Sequence, residues 1–419
     1  MNAPPLETHD PSTPNYAVGP AVLVSKWLIM ALSVRLMLML VIHFSGAEDS
    51  LRLTRDAFLY DEVGVGIAEY YNSGGSTAWP SRVRGFVDFG WEHFIGVVYY
   101  LFGHEPLLIK LVCVIVGATV PLLHYRTALI VSNDTRVALM VLIISTFFPT
   151  QVYYSALMVR DSISAFSVSL LFLGLAQFIR KTTFWWWLNF IVGFIILISL
   201  RSYLASVLAG VIPMSFLATA VVSQGGRARA MAGIFVVGIA VVGVTFLAPS
   251  LMGEMDVQFA DLDYINKVRT KMNHGSGAIY ADGSVTQVGT SLMDTASSFL
   301  VGLYFFFFSV SPSQITSIRQ IMALPEVVLV AAGTWYGVRG GWVLWKERRD
   351  IFLPLLLPTL VMTLGYSAAT TNGGPLMRWR MQLLGVYLIA AAVGVVTATR
   401  QKQATQFHYD TQGQSSPVA

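Results

Sequence analysis

Residues 106–124 read PLLIKLVCVIVGATVPLLH, an almost unbroken apolar run carrying one charge, Lys110. A helix needs about 20 such residues to cross the hydrocarbon core of a bilayer. Runs of this kind recur along the whole 419-residue chain. We read ten, at roughly 21–43, 106–124, 137–157, 162–179, 184–200, 203–223, 231–248, 321–338, 351–369 and 381–399. In lipid every backbone polar group needs an internal partner, so isolated runs of this length fold as helices. The expectation is an all-α membrane protein of about ten transmembrane helices, with amphipathic or interfacial helices on its outer face. Composition agrees. Hydrophobic residues make up 55% of the chain and charged residues 12%, with mean hydropathy +0.62. Soluble domains carry about 25% charged residues.

One further run, 291–310 (SLMDTASSFLVGLYFFFFSV), is apolar enough to give an eleventh span. If it crossed, the cluster Lys346, Arg348 and Arg349 would move to the outer side, against the positive-inside asymmetry. We therefore read it as an interfacial or re-entrant helix, with Asp294 near its start and Pro312 just beyond it. Residues 21–400 then form one polytopic unit with long outer loops at 44–92 and 249–320, the most polar part of the second being 249–290. Residues 1–20 are polar and Pro-rich and lack the basic opening of a signal peptide. Residues 401–419 are rich in Gln, Thr and Ser. Both ends are expected to be disordered cytoplasmic tails.

Orientation follows from charge. With the N-terminus inside, the inner connections hold twelve Lys or Arg, from Arg126 to Lys402, against three acids, Asp134, Glu347 and Asp350. The net charge of +4 is explained by this asymmetry and calls for no nucleic-acid partner. The single cysteine, Cys113, excludes an internal disulfide and a cysteine metal cluster. Phosphate loops, His-Glu-x-x-His and the Gly-x-Ser-x-Gly elbow are absent from the sequence. His93 and His104 fall near the outer surface as lone histidines. Neither inverted repeats nor midplane-broken helices, the marks of a transporter, are evident.

Outer basic residues need a reason other than topology. They are Arg52, Arg55, Arg82, Arg84, Arg160, Arg201, Lys267, Arg269, Lys271, Arg319, Arg378 and Arg380. Arg160, Arg201, Arg378 and Arg380 sit at the outer ends of spans. A single arginine there usually snorkels to headgroups. Four converging on one face suit bidentate binding of a phosphate. The first outer loop supplies acids. Residues 55–71 have apolar positions at helical spacing, with Asp56 at the start and Asp61 and Glu62 off the apolar face. Asp56 fits an N-cap, and Asp61 and Glu62 fit a solvated first turn. Any of the three could instead serve as a general base for an acceptor hydroxyl. Asp161, beside Arg160, is either a helix cap or part of an Arg–Asp site at the membrane boundary. Oxygen ligands from the paired loop acids could hold a divalent metal, but no spacing demands one, and no residue is assigned as a metal ligand.

Three blocks, in this order, carry a resemblance. They are Asp56-Ala57-Phe58-Leu59-Tyr60-Asp61-Glu62-Val63-Gly64; then Leu101-Phe102-Gly103, Phe148-Pro149, Ser155-Ala156-Leu157 and Arg160-Asp161; then Arg378-Trp379-Arg380. The chain resembles polytopic bacterial membrane glycosyltransferases of the GT-C superfamily, over most of residues 20–400. The resemblance implies a polyprenyl-phosphate-linked sugar donor, transfer to a glycan, lipid or protein acceptor at the outer face of the inner membrane, and an early loop acid as base. Asp56, Asp61 and Glu62 compete for that role. Arg160, Asp161, Arg201, Arg378 and Arg380 would form the phosphate side. The turn at Ser309–Ser313 departs from the aromatic and Pro-rich pattern of such proteins.

Overall fold

The computed structural model describes residues 20–46, 55–81, 83, 85–180, 185–222, 238, 292–308, 318–370 and 373–413. Among these the chain is helical, with no strand. In order the helices are α1 (Pro20–Phe44), α2 (Arg55–Asn72), α3 (Gly90–Phe102), α4 (Pro106–Ser132), α5 (Thr135–Phe147), α6 (Pro149–Ser155) and α7 (Asp161–Arg180). Then come α8 (Trp186–Leu200), α9 (Ser202–Val222), α10 (Leu292–Phe308), α11 (Ile318–Glu347), α12 (Arg349–Ala369) and α13 (Gly373–Gly413).

Seven of these are long and apolar enough to cross a membrane: α1, α4, α7, α9, α11, α12 and α13. The pair α5 and α6 makes an eighth if it counts as one bent span. The ten-span expectation is not reached among the described residues. Of the other two runs, 184–200 forms the short helix α8 of 15 residues, and 231–248 lies outside the described residues apart from Gly238. The polar loop 249–290 and the N-terminal tail before Pro20 lie outside them as well. At the other end α13 continues to Gly413, where we expected a disordered tail from Gln401. Residues 401–406 supply Gln, Lys and Ala, good helix formers with no proline or glycine among them.

Close helix crossings are made by small residues. Gly340 of α11 meets the Ala390 carbonyl of α13, and Gly394 of α13 meets the Tyr336 carbonyl, so neither position has room for a Cβ. Small residues let helix backbones approach where lipid supplies no hydrophobic drive for association. Gly302 packs in the same way on the Ser367 carbonyl of α12. From there α10 runs deeper, and its Phe307 ring reaches 5.7 Å from Tyr387 of α13. The apolar part of α10, Phe299–Phe308, is shorter than a span. Phe306, near its last described residue, is fully buried.

The bend between α5 and α6 is 51° and has a local cause. Phe148 precedes Pro149 and takes an extended conformation (φ −62°, ψ 117°), as the residue before proline prefers. Pro149 has no N–H to give. The Thr150 N–H leaves the helix ladder and donates to Glu326 of α11 at 3.0 Å. The Thr146 carbonyl, freed in turn, accepts from Arg35 of α1 at 3.1 Å. A cation therefore faces the C-terminal end of α5 and a carboxylate the N-terminal end of α6, as the helix dipoles require. Arg35 and Glu326 are both fully buried.

Charges sort to the two ends of the bundle. Asp161 opens α7 and Arg378 lies in the first turns of α13, and these two meet. At the far ends of the same helices Arg180 pairs with Asp350 (3.7 Å) and Arg400 with Asp134 (2.7 Å). The grouping matches the partition into outer and inner residues read from the sequence.

Candidate functional site

The segment 156–159 joins α6 to α7 and is buried throughout. It delivers Arg160 and Asp161 to one end of the bundle. Asp161 is completely buried. One carboxylate oxygen accepts from Arg201 Nη2 at 2.7 Å. The other accepts from Arg378 Nε at 2.9 Å and Nη2 at 2.5 Å. Arg378 then reaches outward, with Nη1 donating to Asp56 at 2.5 Å. Side-chain exposure rises along the row, from 0% at Asp161 and 6% at Arg201 to 19% at Arg378 and 42% at Asp56. Tyr154 lies beneath the Arg378 guanidinium, 5.5 Å from ring centroid to Cζ. Arg201 also donates to the Tyr203 hydroxyl at 2.7 Å.

Arg160 stands beside this row. Its Nη1 donates to the carbonyls of Asp88 (3.1 Å) and Leu200 (2.9 Å), and its guanidinium lies 5.8 Å from the Tyr60 ring centroid. Burial pushes the Tyr60 phenol up to about 12, partly offset by Arg160, so the hydroxyl stays a neutral donor. Asp88 sits at φ +63°, a left-handed position that aspartate tolerates better than most residues. Its carboxylate accepts from both the backbone N–H and the hydroxyl of Ser202 at 2.5 Å, capping α9 from a distance. Asp88 thus ties the α2–α3 unit to the bundle and to Arg160. Next to it Glu92 is buried, with one carboxylate oxygen lacking a hydrogen-bond partner. Burial raises its pKa, and Arg160 pulls the other way.

The structure brings together Asp56, Asp161, Arg201 and Arg378, with Arg160 adjacent. Asp161 does not face outward as a ligand group. It is the shared counter-ion of two arginines. Arg380 does not join them. It is buried and paired with Glu326, and its Nη1 donates to the Phe306 carbonyl at 2.7 Å and to that of Phe307. There it closes the carbonyls at the end of α10. The reason is angular. Residues two apart on a helix point about 200° apart, so Arg378 and Arg380 serve opposite sides of α13. Asp61 is also separate, with its carboxylate taking the Tyr99 hydroxyl at 2.5 Å and His104 at 3.0 Å. Burial and that bond hold the Tyr99 phenol well above its ordinary range. Glu62 is exposed. Of the other outer cations, Arg52, Arg82, Arg84, Lys267, Arg269 and Lys271 lie outside the described residues, as do the side chains of Arg55 and Arg319. Among the described residues no group of three or more His, Cys, Asp or Glu is placed to hold a metal ion.

Sequence reasoning missed Arg35, Asp88 and Glu326. Arg35 and Glu326 had a signal, since each is a lone charge inside an apolar run. Asp88 had none beyond lying before a helix.

No family model matches this sequence, and no curated protein matches it.

Proposed function

We propose that the protein transfers a sugar from a polyprenyl-phosphate or pyrophosphate donor to an acceptor hydroxyl. The setting we propose is the outer face of a bacterial inner membrane, with ten spans and both termini cytoplasmic. The observation that carries this reading is the half-exposed Asp56 held by Arg378 at the open end of a buried Arg–Asp network. Asp56 is the base. It takes the proton from the acceptor hydroxyl as that oxygen attacks the anomeric carbon. The bond from that carbon to the phosphate oxygen breaks, and the phosphate leaves with the electron pair. Arg378, with Arg160 nearby, faces the charge that grows on it. Such preorganised donors typically contribute about a hundredfold or more in rate. Asp161 and Arg201 are positioning residues: their pairing fixes the Arg378 fork before substrate arrives.

Donor cleavage tests this. Purified protein in lipid is given labelled polyprenyl-phosphate sugars, and release of polyprenyl phosphate is followed. Release that falls about a hundredfold in Arg378→Lys supports the reading. Equal release by wild type and Arg378→Lys overturns the assigned role. A polymerase or ligase would use the same lipid and the same face but yield a ladder of glycan lengths.

One observation favours a second reading. The bent α5–α6 pair, with Arg35 and Glu326 at its broken ends, is the kind of break that transporters place near a substrate path. Uptake of a lipid-linked glycan into the opposite leaflet, with no bond cleaved, would establish that reading instead.

A further inference from the structure

Six rings outside the charged network form one continuous row. Phe86 lies 5.9 Å from His93, and His93 5.6 Å from Trp79. Trp79 lies 5.0 Å from Tyr70 and 6.3 Å from Tyr71, and Tyr71 5.7 Å from Tyr100. The row runs across α2, the 73–89 connection and α3, outside every helix long enough to cross a membrane. Phe86, Tyr71 and Tyr100 are exposed, and Tyr70, Trp79 and His93 half-buried. Two of the rings, Trp79 and His93, are held by hydrogen bonds. Trp79 Nε1 donates to the Val83 carbonyl at 2.9 Å, and His93 Nδ1 lies 2.9 Å from the Phe89 carbonyl.

We propose that this row is a carbohydrate-binding surface on which pyranose rings of the acceptor glycan stack. The inference rests on the transfer reading for the word acceptor; the surface itself does not. A sugar ring presents a face of positively polarised C–H bonds, which suits the negative face of an aromatic ring. Rings already fixed lose little entropy on binding. Local charge selects a sugar over a lipid surface. Residues 55–104 contain no lysine, and their exposed acids are Glu62 and Glu69, while Asp56, Asp61, Asp88 and Glu92 are paired or buried. A surface that docks on anionic headgroups needs the opposite excess.

The test uses the full chain in nanodiscs of phosphatidylcholine and a printed array of lipid-free bacterial envelope oligosaccharides. Wild type is expected to bind at least one oligosaccharide. Trp79→Ala and Phe86→Ala should each weaken that binding about tenfold, a stacking contact's worth. Trp79→Phe keeps a ring and should retain most of it, which separates stacking from misfolding. Binding to no oligosaccharide, or binding that survives loss of the rings, overturns the proposal. So does quenching by brominated lipid of the part of the fluorescence that Trp79→Phe removes, which would make the row a membrane anchor. Oligosaccharide binding without donor cleavage would sink the transfer reading and leave the surface standing. Donor cleavage by a protein that binds no oligosaccharide would leave the transfer reading standing and sink the surface.

Discussion

Replacing Asp161 with asparagine should damage stability far more than the same change at Asp56. Asp161 is wholly buried and accepts three N–H bonds from two guanidinium groups. Asparagine keeps the shape and one acceptor oxygen but turns an N–H2 towards an arginine and removes the shared negative charge. Leaving buried charges without their partner costs about 3–5 kcal/mol. Asp56 makes one such bond from a position 42% exposed, and exposed ion pairs contribute about 1 kcal/mol at most. At about 2 °C per kcal/mol for a large chain, Asp161→Asn should lower the unfolding temperature by about 8 °C and Asp56→Asn by about 2 °C or less. Thermal unfolding in detergent, followed by intrinsic fluorescence, reads both. The reasoning is refuted if Asp161→Asn unfolds with wild type, or if Asp56→Asn falls as far as Asp161→Asn.

Two further outcomes follow from buried charge. Glu326→Gln and Arg380→Met should each destabilise by about 3–5 kcal/mol, and the double variant by clearly less than their sum, because the second change removes a charge the first left unpaired; additive losses in thermal unfolding would deny the pairing. Glu92 has a raised pKa in the fold. Its protonated form is the favoured one, so the stability it contributes is full below the carboxylate's ordinary range and is lost as pH rises through the raised value. Glu92→Gln should therefore raise the unfolding temperature at neutral pH and leave it unchanged below about pH 4; a gain of equal size at both pH values would show that ionisation is not the cause.

Much of the bundle was legible because membrane helices are specified by local composition. Eight of the ten apolar runs correspond to a spanning helix or to the bent pair, and the break itself is written in Phe148-Pro149. The partition of charges to two ends was legible for the same reason: Lys and Arg placement reports orientation. Pairing inside the bundle was not. Arg380 looked equivalent to Arg378 in the sequence, and only the helix angle and a distant carboxylate, Glu326, separate them. Asp161 looked like a cap or a ligand group because nothing local shows that Arg201 and Arg378, 40 and 217 residues away in sequence, converge on it. In the sequence Asp56, Asp61 and Glu62 compete for one role, and the helix separates the two aspartates. Five residues apart on a helix, they point about 140° from each other, and α2 gives the first to Arg378 and the second to Tyr99 and His104.

The central claim is that Asp56 is the base of a sugar-transfer site. It is tested most directly by donor turnover, in lipid, by purified wild type, Asp56→Asn and Asp61→Asn against a panel of polyprenyl-linked sugars. The account predicts turnover of at least one donor by wild type, collapse in Asp56→Asn and near-normal rates in Asp61→Asn. No turnover of any donor by folded wild type, or full turnover by Asp56→Asn, would contradict it.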